Sequence, residues 1–368
     1  MPKISLPPLP LSGLFAIAKP SGPTSMSVIN DVKQLVCNSR LFVEASKLEE
    51  KRRTPKRGRR AREVVKIGQG GTLDPLADGV LVVGVGKGTK KLGDFLDCIK
   101  EYKTTVLLGC ETDTYDSEGV RVRVAPWRHV TKEAVEEQLV NFRGEIYQTP
   151  PIFSALKMDG KPLYEYARKG IPLPRPIEKR KVTVHSLTLT DWKGPNHEFT
   201  WPEKQFTDKE REAMEKALRS VQEDVVIRND PEPTSEPKDG LEPERETTLG
   251  DGLDRASEEE QAQKQTQTPS AFVLTMRVSG GTYVRSIVHD LGHALGSAAH
   301  VVTLTRSRQS RFALSPDEEA DGAKGCIAWE VFTKAAEDEG AEDADGLKEW
   351  ERAVLDKFEI IDENGNKS

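Results

Sequence analysis

Hydrophobic and polar positions change rhythm repeatedly along these 368 residues, and each change predicts an element. Gly13 to Lys19 is a short apolar run that predicts a strand. Ser25 to Val36 has helical spacing, with Thr24 or Ser25 as cap. Gly79 to Gly86 is continuously apolar, as a buried strand is, and Lys90 to Leu96 predicts a short helix. Tyr102 to Leu108 alternates. Thr131 to Phe142 returns to helical spacing through Ala134, Val135, Leu139 and Phe142. Val182 to Leu189 alternates strongly, and Phe272 to Val278 is its expected partner in an interrupted hairpin. Tyr283 to Leu295 reads as a helix and His300 to Thr305 as a last core strand. Strands and helices mix without a regular strand–helix–strand repeat, which makes the fold class α+β.

Two stretches interrupt this pattern. A basic insertion at about residues 40–66 centres on Lys51 to Arg62, and reads as a localisation signal, an RNA-gripping arm or a solvated loop. Residues 202–268 are rich in Pro, Glu, Gln and Thr, the composition of a disordered linker. Only Asp208 to Val221 has helical character there. An acidic, helix-prone extension fills residues 315–368.

Composition changes the picture through its distribution. The net charge of −6 argues against a nucleic-acid partner. Yet residues 202–268 carry roughly −9 and residues 315–368 roughly −11, which leaves about +14 on the remainder. The acidic pieces mask a basic body that attracts phosphates. No apolar run is long enough to span a bilayer, and the first residues lack the arrangement of a secretory signal. Cys37, Cys98, Cys110 and Cys326 are scattered without a Cys-x-x-Cys pair, so neither a zinc site nor a disulfide framework is expected. The expected location is intracellular: nucleus, mitochondrion or both, with the cytoplasm open.

The densest chemistry lies in Gly68-Gln69-Gly70-Gly71-Thr72-Leu73-Asp74-Pro75-Leu76-Ala77-Asp78-Gly79. Its glycines let the backbone turn tightly and lie close to another molecule. Asp74 is then presented on that turn ahead of a buried strand, a good place for a nucleophile. The alternative is structural, with Asp74 as helix N-cap and Pro75 at the first helical position. Three further segments bear on the choice. They are Lys100 to Thr114, Pro150 to Arg168, and Gly280-Gly281-Thr282-Tyr283-Val284-Arg285-Ser286-Ile287 running into Asp290-Leu291-Gly292. Lys19-Pro20-Ser21-Gly22-Pro23-Thr24-Ser25 precedes them all.

In this order and spacing the segments resemble the TruB-type tRNA pseudouridine synthases over residues 12–314, most specifically through Gly-Thr-Leu-Asp-Pro and Gly-Thr-Tyr-Val-Arg. The resemblance implies one mixed, mainly antiparallel sheet bent across two subdomains, with flanking helices and a central cleft. It implies isomerisation of uridine to pseudouridine at position 55 in the tRNA T-arm, on a base flipped out of its stack. Asp74 is then the catalytic carboxylate, attacking sugar or ring, or stabilising an intermediate. Arg285 is the arginine that pairs with it, and Tyr102 the aromatic that stacks on the target base. Lys19, Gly70, Gly71, Thr72, Leu73, Asp113, Tyr283 and Leu304 fall in matching substrate-binding segments. Gln69 stands where bacterial relatives usually have a histidine wedge, which puts the wedge role in doubt. Many relatives end in a β-rich PUA domain. The extension here is too short and too acidic for one, which points to a stand-alone, eukaryotic-type member.

The expected partner is tRNA, with mRNA hairpins resembling the T-arm as further substrates, and the expected state is a monomer. Alternatives are an RNA chaperone acting without catalysis and a guide-RNA-dependent synthase subunit. No cofactor is expected. Nor is a metal: His289 and His293 share a helix face, but no third ligand is evident in the sequence. Gly84 to Lys90 fits no nucleotide-binding fingerprint.

Overall fold

The computed structural model describes residues 8–53, 64–207, 209–212, 268–316, 322–337 and 340–361. Most of the basic cluster and nearly all of the acidic insertion lie outside these residues, and so do the readings made of them. The chain divides into two compact units. The first comprises Met1–Lys103, Arg277–Gly281 and Leu304–Ser368, the second Thr104–Met276 and Thr282–Thr303.

Sixteen strands are described: β1 Gly13–Lys19, β2 Ile67–Gln69, β3 Asp78–Val85, β4 Lys100–Leu108, β5 Cys110–Thr112, β6 Arg121–Val124, β7 Gly144–Gln148, β8 Lys157–Met158, β9 Lys161–Pro162, β10 Arg180–Gly194, β11 Ala271–Val278, β12 Ala299–Gln309, β13 Phe312–Ala313, β14 Lys324–Gly325, β15 Ile327–Ala328 and β16 Glu359–Ile360. Twelve belong to one sheet with parallel and antiparallel pairs, so the α+β reading holds. Residues of β4, β11 and β12 are shared between the two units.

In the first unit, β1 pairs antiparallel with β3 along its whole length, from Gly13 opposite Val85 to Lys19 opposite Gly79. Both strands are apolar on both faces because both faces are covered. The other edge of β3 is divided. β2 takes Val83 to Val85, and β12 takes Asp78 and Gly79 in parallel. β12 pairs at the start of β3, and the loop that enters β3 there carries Asp74. The helix Ser25–Val36 is capped by Thr24, whose hydroxyl accepts from Ser27 N at 3.1 Å. Lys90 to Leu96 is no single helix: a 3-10 turn over Gly86–Lys91 is followed by a helix over Gly93–Asp97.

The extension expected to be helical holds the helices Trp329–Glu337 and Glu349–Lys357 and also three short strands. Of these, β15 and β16 both pair with β1. Phe332 stacks on Phe15 of β1 at 6.3 Å, and Arg311 holds Glu359 through two bonds of 2.7 Å. Acidic composition concealed enough apolar residues to complete the unit's core.

In the second unit, β10 lies between β11 and β7, so the strands flanking the acidic insertion are neighbours as the hairpin reading requires. The helix Lys132–Leu139 is capped by Thr131 and continues as a 3-10 turn to Phe142. The helix Val284–Ala294 buries nearly all of its first nine residues.

Candidate active site

Asp74 caps no helix. Its carbonyl accepts from Ala77 N at 3.1 Å, closing a β-turn with Pro75 second, where the fixed φ of proline suits it. Lys19, at the end of β1, anchors this turn from below. Its Nζ donates to Ala77 O at 2.7 Å, Pro20 O at 2.8 Å and Pro75 O at 3.4 Å. Burial brings the Lys19 ammonium down to about 8, against the opposing pull of Asp78 and Asp74. At neutral pH a positive charge therefore lies beneath the turn that carries Asp74.

The residues before Asp74 are held as firmly. Ser25 Oγ donates to Leu73 O at 2.8 Å and accepts from Leu73 N at 2.9 Å, so one hydroxyl satisfies both backbone groups of a buried residue. Gly70 N bonds Val82 O at 2.9 Å, and a Cβ on Gly70 would lie 2.8 Å from that of Phe95. Gly71 has φ +118°, where side chains are strained. Gln69 turns its amide inward, Nε2 lying 3.3 Å from Thr72 Oγ1. Buried Arg306 of β12 donates from Nε to Val80 O at 2.8 Å and from Nη2 to Gly71 O at 3.3 Å. Gln309 Nε2 reaches Gly70 O and Phe95 O. Tyr102 on β4 and Leu304 on β12 are buried on neighbouring strands of the same unit.

The second unit holds Arg285, Asp113 and Tyr283. Arg285 is 3% exposed. It donates to Thr114 O at 2.5 Å and Phe153 O at 3.0 Å, and lies 3.6 Å from an oxygen of Asp116. Asp113 accepts from Val120 N at 2.7 Å within its own loop. Burial raises its carboxyl to about 6, with the backbone bonds of Val120 and Thr114 pulling the other way. Gln148 clamps both backbone groups of Tyr283, each at 2.8 Å.

Sequence reasoning missed Arg306, Gln309, Ser25, Gln148 and Asp116. Arg306 alone left a signal: it follows Val302 and Leu304 on the buried face of an alternating strand. The expectation that His289 and His293 lack a third ligand is also corrected. Glu111 of β5 meets His289 Nε2 at 3.0 Å and His293 Nε2 at 2.9 Å. Burial opposes ionisation of Glu111, but the hydrogen bonds and charges of the two histidines outweigh it and hold the carboxyl well below its usual range. Burial likewise opposes the charge on His289, yet bonds to Asp290 and Glu111 raise it to about 9.

Asp74 thus sits on a glycine-rich turn whose backbone is held by Lys19, Ser25, Arg306 and Gln309. The profile described as "TruB family pseudouridylate synthase (N terminal domain)" matches residues 59–206. The chain belongs to this family. It is 40% identical over 351 residues to "tRNA pseudouridine synthase 4" of Schizosaccharomyces pombe, covering 88% of this chain and 85% of that one. Against "tRNA pseudouridine synthase 4" of Saccharomyces cerevisiae it is 37% identical over 319 residues, 83% and 78% of the two chains. With "Pseudouridylate synthase TRUB1" of Mus musculus it shares 32% over 306 residues, 83% of this chain and 65% of that one. No helix among the described residues is long and apolar enough to cross a membrane.

Proposed function

We propose that this chain isomerises uridine to pseudouridine in tRNA, with position 55 of the T-arm as its target. The Asp74 turn carries the reading. Lys19, Ser25, Arg306 and Gln309 hold the backbone of this turn, and Asp74 is the carboxylate it carries. A target base in a folded tRNA elbow reaches such a group only after leaving its stack.

Asp74 attacks sugar or ring, or steadies the intermediate while uracil turns. Tyr102 offers an aromatic face that does not fix one base orientation, which suits a base that must rotate. Arg285 is the arginine that the family resemblance assigns to the catalytic carboxylate. Gln69, Gly70, Gly71, Thr72, Leu73, Asp113, Tyr283 and Leu304 shape the surroundings of the nucleotide. The isomerisation conserves every atom and electron, so it calls for no co-substrate. The protein acts as a monomer inside the cell, in the nucleus, the mitochondrion or both, with the cytoplasm open, and mRNA hairpins shaped like the T-arm are further substrates.

The test is tritium release from tRNA labelled at uracil carbon 5. Wild type is compared with Asp74→Asn, and the natural transcript with one carrying cytidine at position 55. Release by wild type that either change abolishes supports the activity, the carboxylate and the position together. Tight tRNA binding without release overturns the reading in favour of a chaperone.

A further inference from the structure

We propose that Glu111, His289 and His293 form a binding site for a divalent first-row transition cation, with zinc as its probe. Three ligand atoms, one from each residue, lie within 4.8 Å of one another. His289 Nε2 faces one oxygen of the Glu111 carboxylate at 3.0 Å and His293 Nε2 the other at 2.9 Å. Bonds of about 2.1 Å in a tetrahedral zinc site hold ligand atoms about 3.4 Å apart. A cation therefore fits after these contacts open by about half an ångström, displacing the two shared Nε2 protons to solvent.

The surroundings are those a metal-binding histidine uses. His289 Nδ1 lies 2.9 Å from Asp290 Oδ1, so the far ring nitrogen is already engaged and Nε2 is the atom presented. A carboxylate behind a ligating imidazole fixes the tautomer and raises the basicity of the ligand. Tyr115 stacks on the His289 ring at 4.0 Å and holds its plane. Glu111 and His289 are buried while the His293 side chain is 43% exposed, which gives the ion a route in and a water a coordination position. Imidazole with carboxylate suits zinc, copper, iron and nickel better than magnesium or calcium.

One group competes with the cation. Arg123 Nε lies 3.3 Å from Glu111 Oε2, and its Nη2 is 3.4 Å from His293 Nε2. Its guanidinium keeps a second anchor on Ser297 O at 3.0 Å, so it can release Glu111 without losing its place. Bound metal would tie β5 to the helix Val284–Ala294, on which Arg285, His289 and His293 recur every four residues along one face.

The experiment uses the full chain without a polyhistidine tag, stripped with chelator and titrated with zinc by calorimetry, then with cobalt for its visible d–d spectrum. Wild type is expected to take up one equivalent. His293→Ala, at an exposed position, and Glu111→Gln are expected to weaken binding at least about tenfold and abolish the cobalt spectrum. Arg123→Gln, which removes the competing cation, is expected to tighten it. No uptake by wild type overturns the proposal. So does equal uptake by wild type and His293→Ala, which would assign the metal to the cysteines or the acidic segments.

Discussion

Arg306 Nε donates to Val80 O at 2.8 Å on the stretch of the β3 edge, Val80 to Val82, that lies between the pairings of β12 and β2. β2 ends its pairing above this carbonyl and β12 begins below it, so Val80 O would otherwise be a buried orphan. The same guanidinium holds Gly71 O, three residues before Asp74. Arg306→Lys keeps the charge but loses the planar fork that spans both carbonyls. The expected outcome is a stability loss of about 1–3 kcal/mol, from an unpaired buried carbonyl. Misplacing the Asp74 turn by an ångström adds a fall in kcat on the order of 100-fold. Denaturant titration and single-turnover kinetics measure the two separately. Unchanged kcat in a destabilised protein would show that Arg306 supports the sheet and not the turn.

Two glycines with nearly the same backbone angle make a controlled pair. Gly79 has φ +106° and Gly22 φ +107°. A Cβ on Gly79 would lie 2.3 Å from Arg306 O, whereas one on Gly22 would meet nothing within 4 Å. Gly22→Ala is expected to cost about 1–2 kcal/mol, from strain alone. Gly79→Ala adds a backbone collision between β3 and β12 and is expected to exceed about 3 kcal/mol. Thermal unfolding of both variants checks this. Equal losses would mean that the strands separate easily at that point.

The element pattern was legible wherever local rhythm and burial agree. β1, β3 and the helix Ser25–Val36 fall where the apolar spacing puts them, because each buries a face that its own sequence marks. Asp74-Pro75 was locally ambiguous between helix cap and turn. The deciding contacts come from Lys19 and Ser25, some 50 residues earlier, and no local rule carries them. The stretch read as one helix over Lys90 to Leu96 is a 3-10 turn and then a helix from Gly93, because periodicity over so few residues cannot separate the two. Glu111 was invisible as a partner of His289 because 178 residues separate them. In the extension, charge outweighed a handful of aromatic residues in any compositional reading, yet Phe332, Trp350 and Phe358 are buried in the first unit.

Arg285 offers a way to separate positioning from scaffolding. Its guanidinium already donates to Thr114 O and Phe153 O, which a structural arginine would also do. Arg285→Lys weakens both bonds but keeps a cation. If Arg285 also serves the reaction, kcat falls further in Arg285→Gln than in Arg285→Lys while both still bind tRNA. If it only braces its own loop, both variants lose stability while kcat of the folded protein stays where it is. Single-turnover rates beside denaturant titrations decide between these roles, and a single activity value does not.

The last prediction concerns Asp113, whose carboxyl burial raises from the ordinary 3.8 to about 6. Between those values the folded protein keeps a proton that the unfolded chain has released. The contribution of this group to stability is therefore fully present below about pH 4 and is lost as pH rises through about 6. Above that range a buried carboxylate costs up to about 3 kcal/mol relative to its protonated form. Asp113→Asn keeps an oxygen to accept from Val120 N and removes the charge. The variant is expected to be more stable than wild type at pH 7 and indistinguishable from it at pH 4. Denaturant titrations of both proteins at the two pH values isolate this group, because every other titration is common to the pair. A variant less stable at pH 7, or shifted equally at both, would mean that the ionised carboxylate is the form the loop is built around.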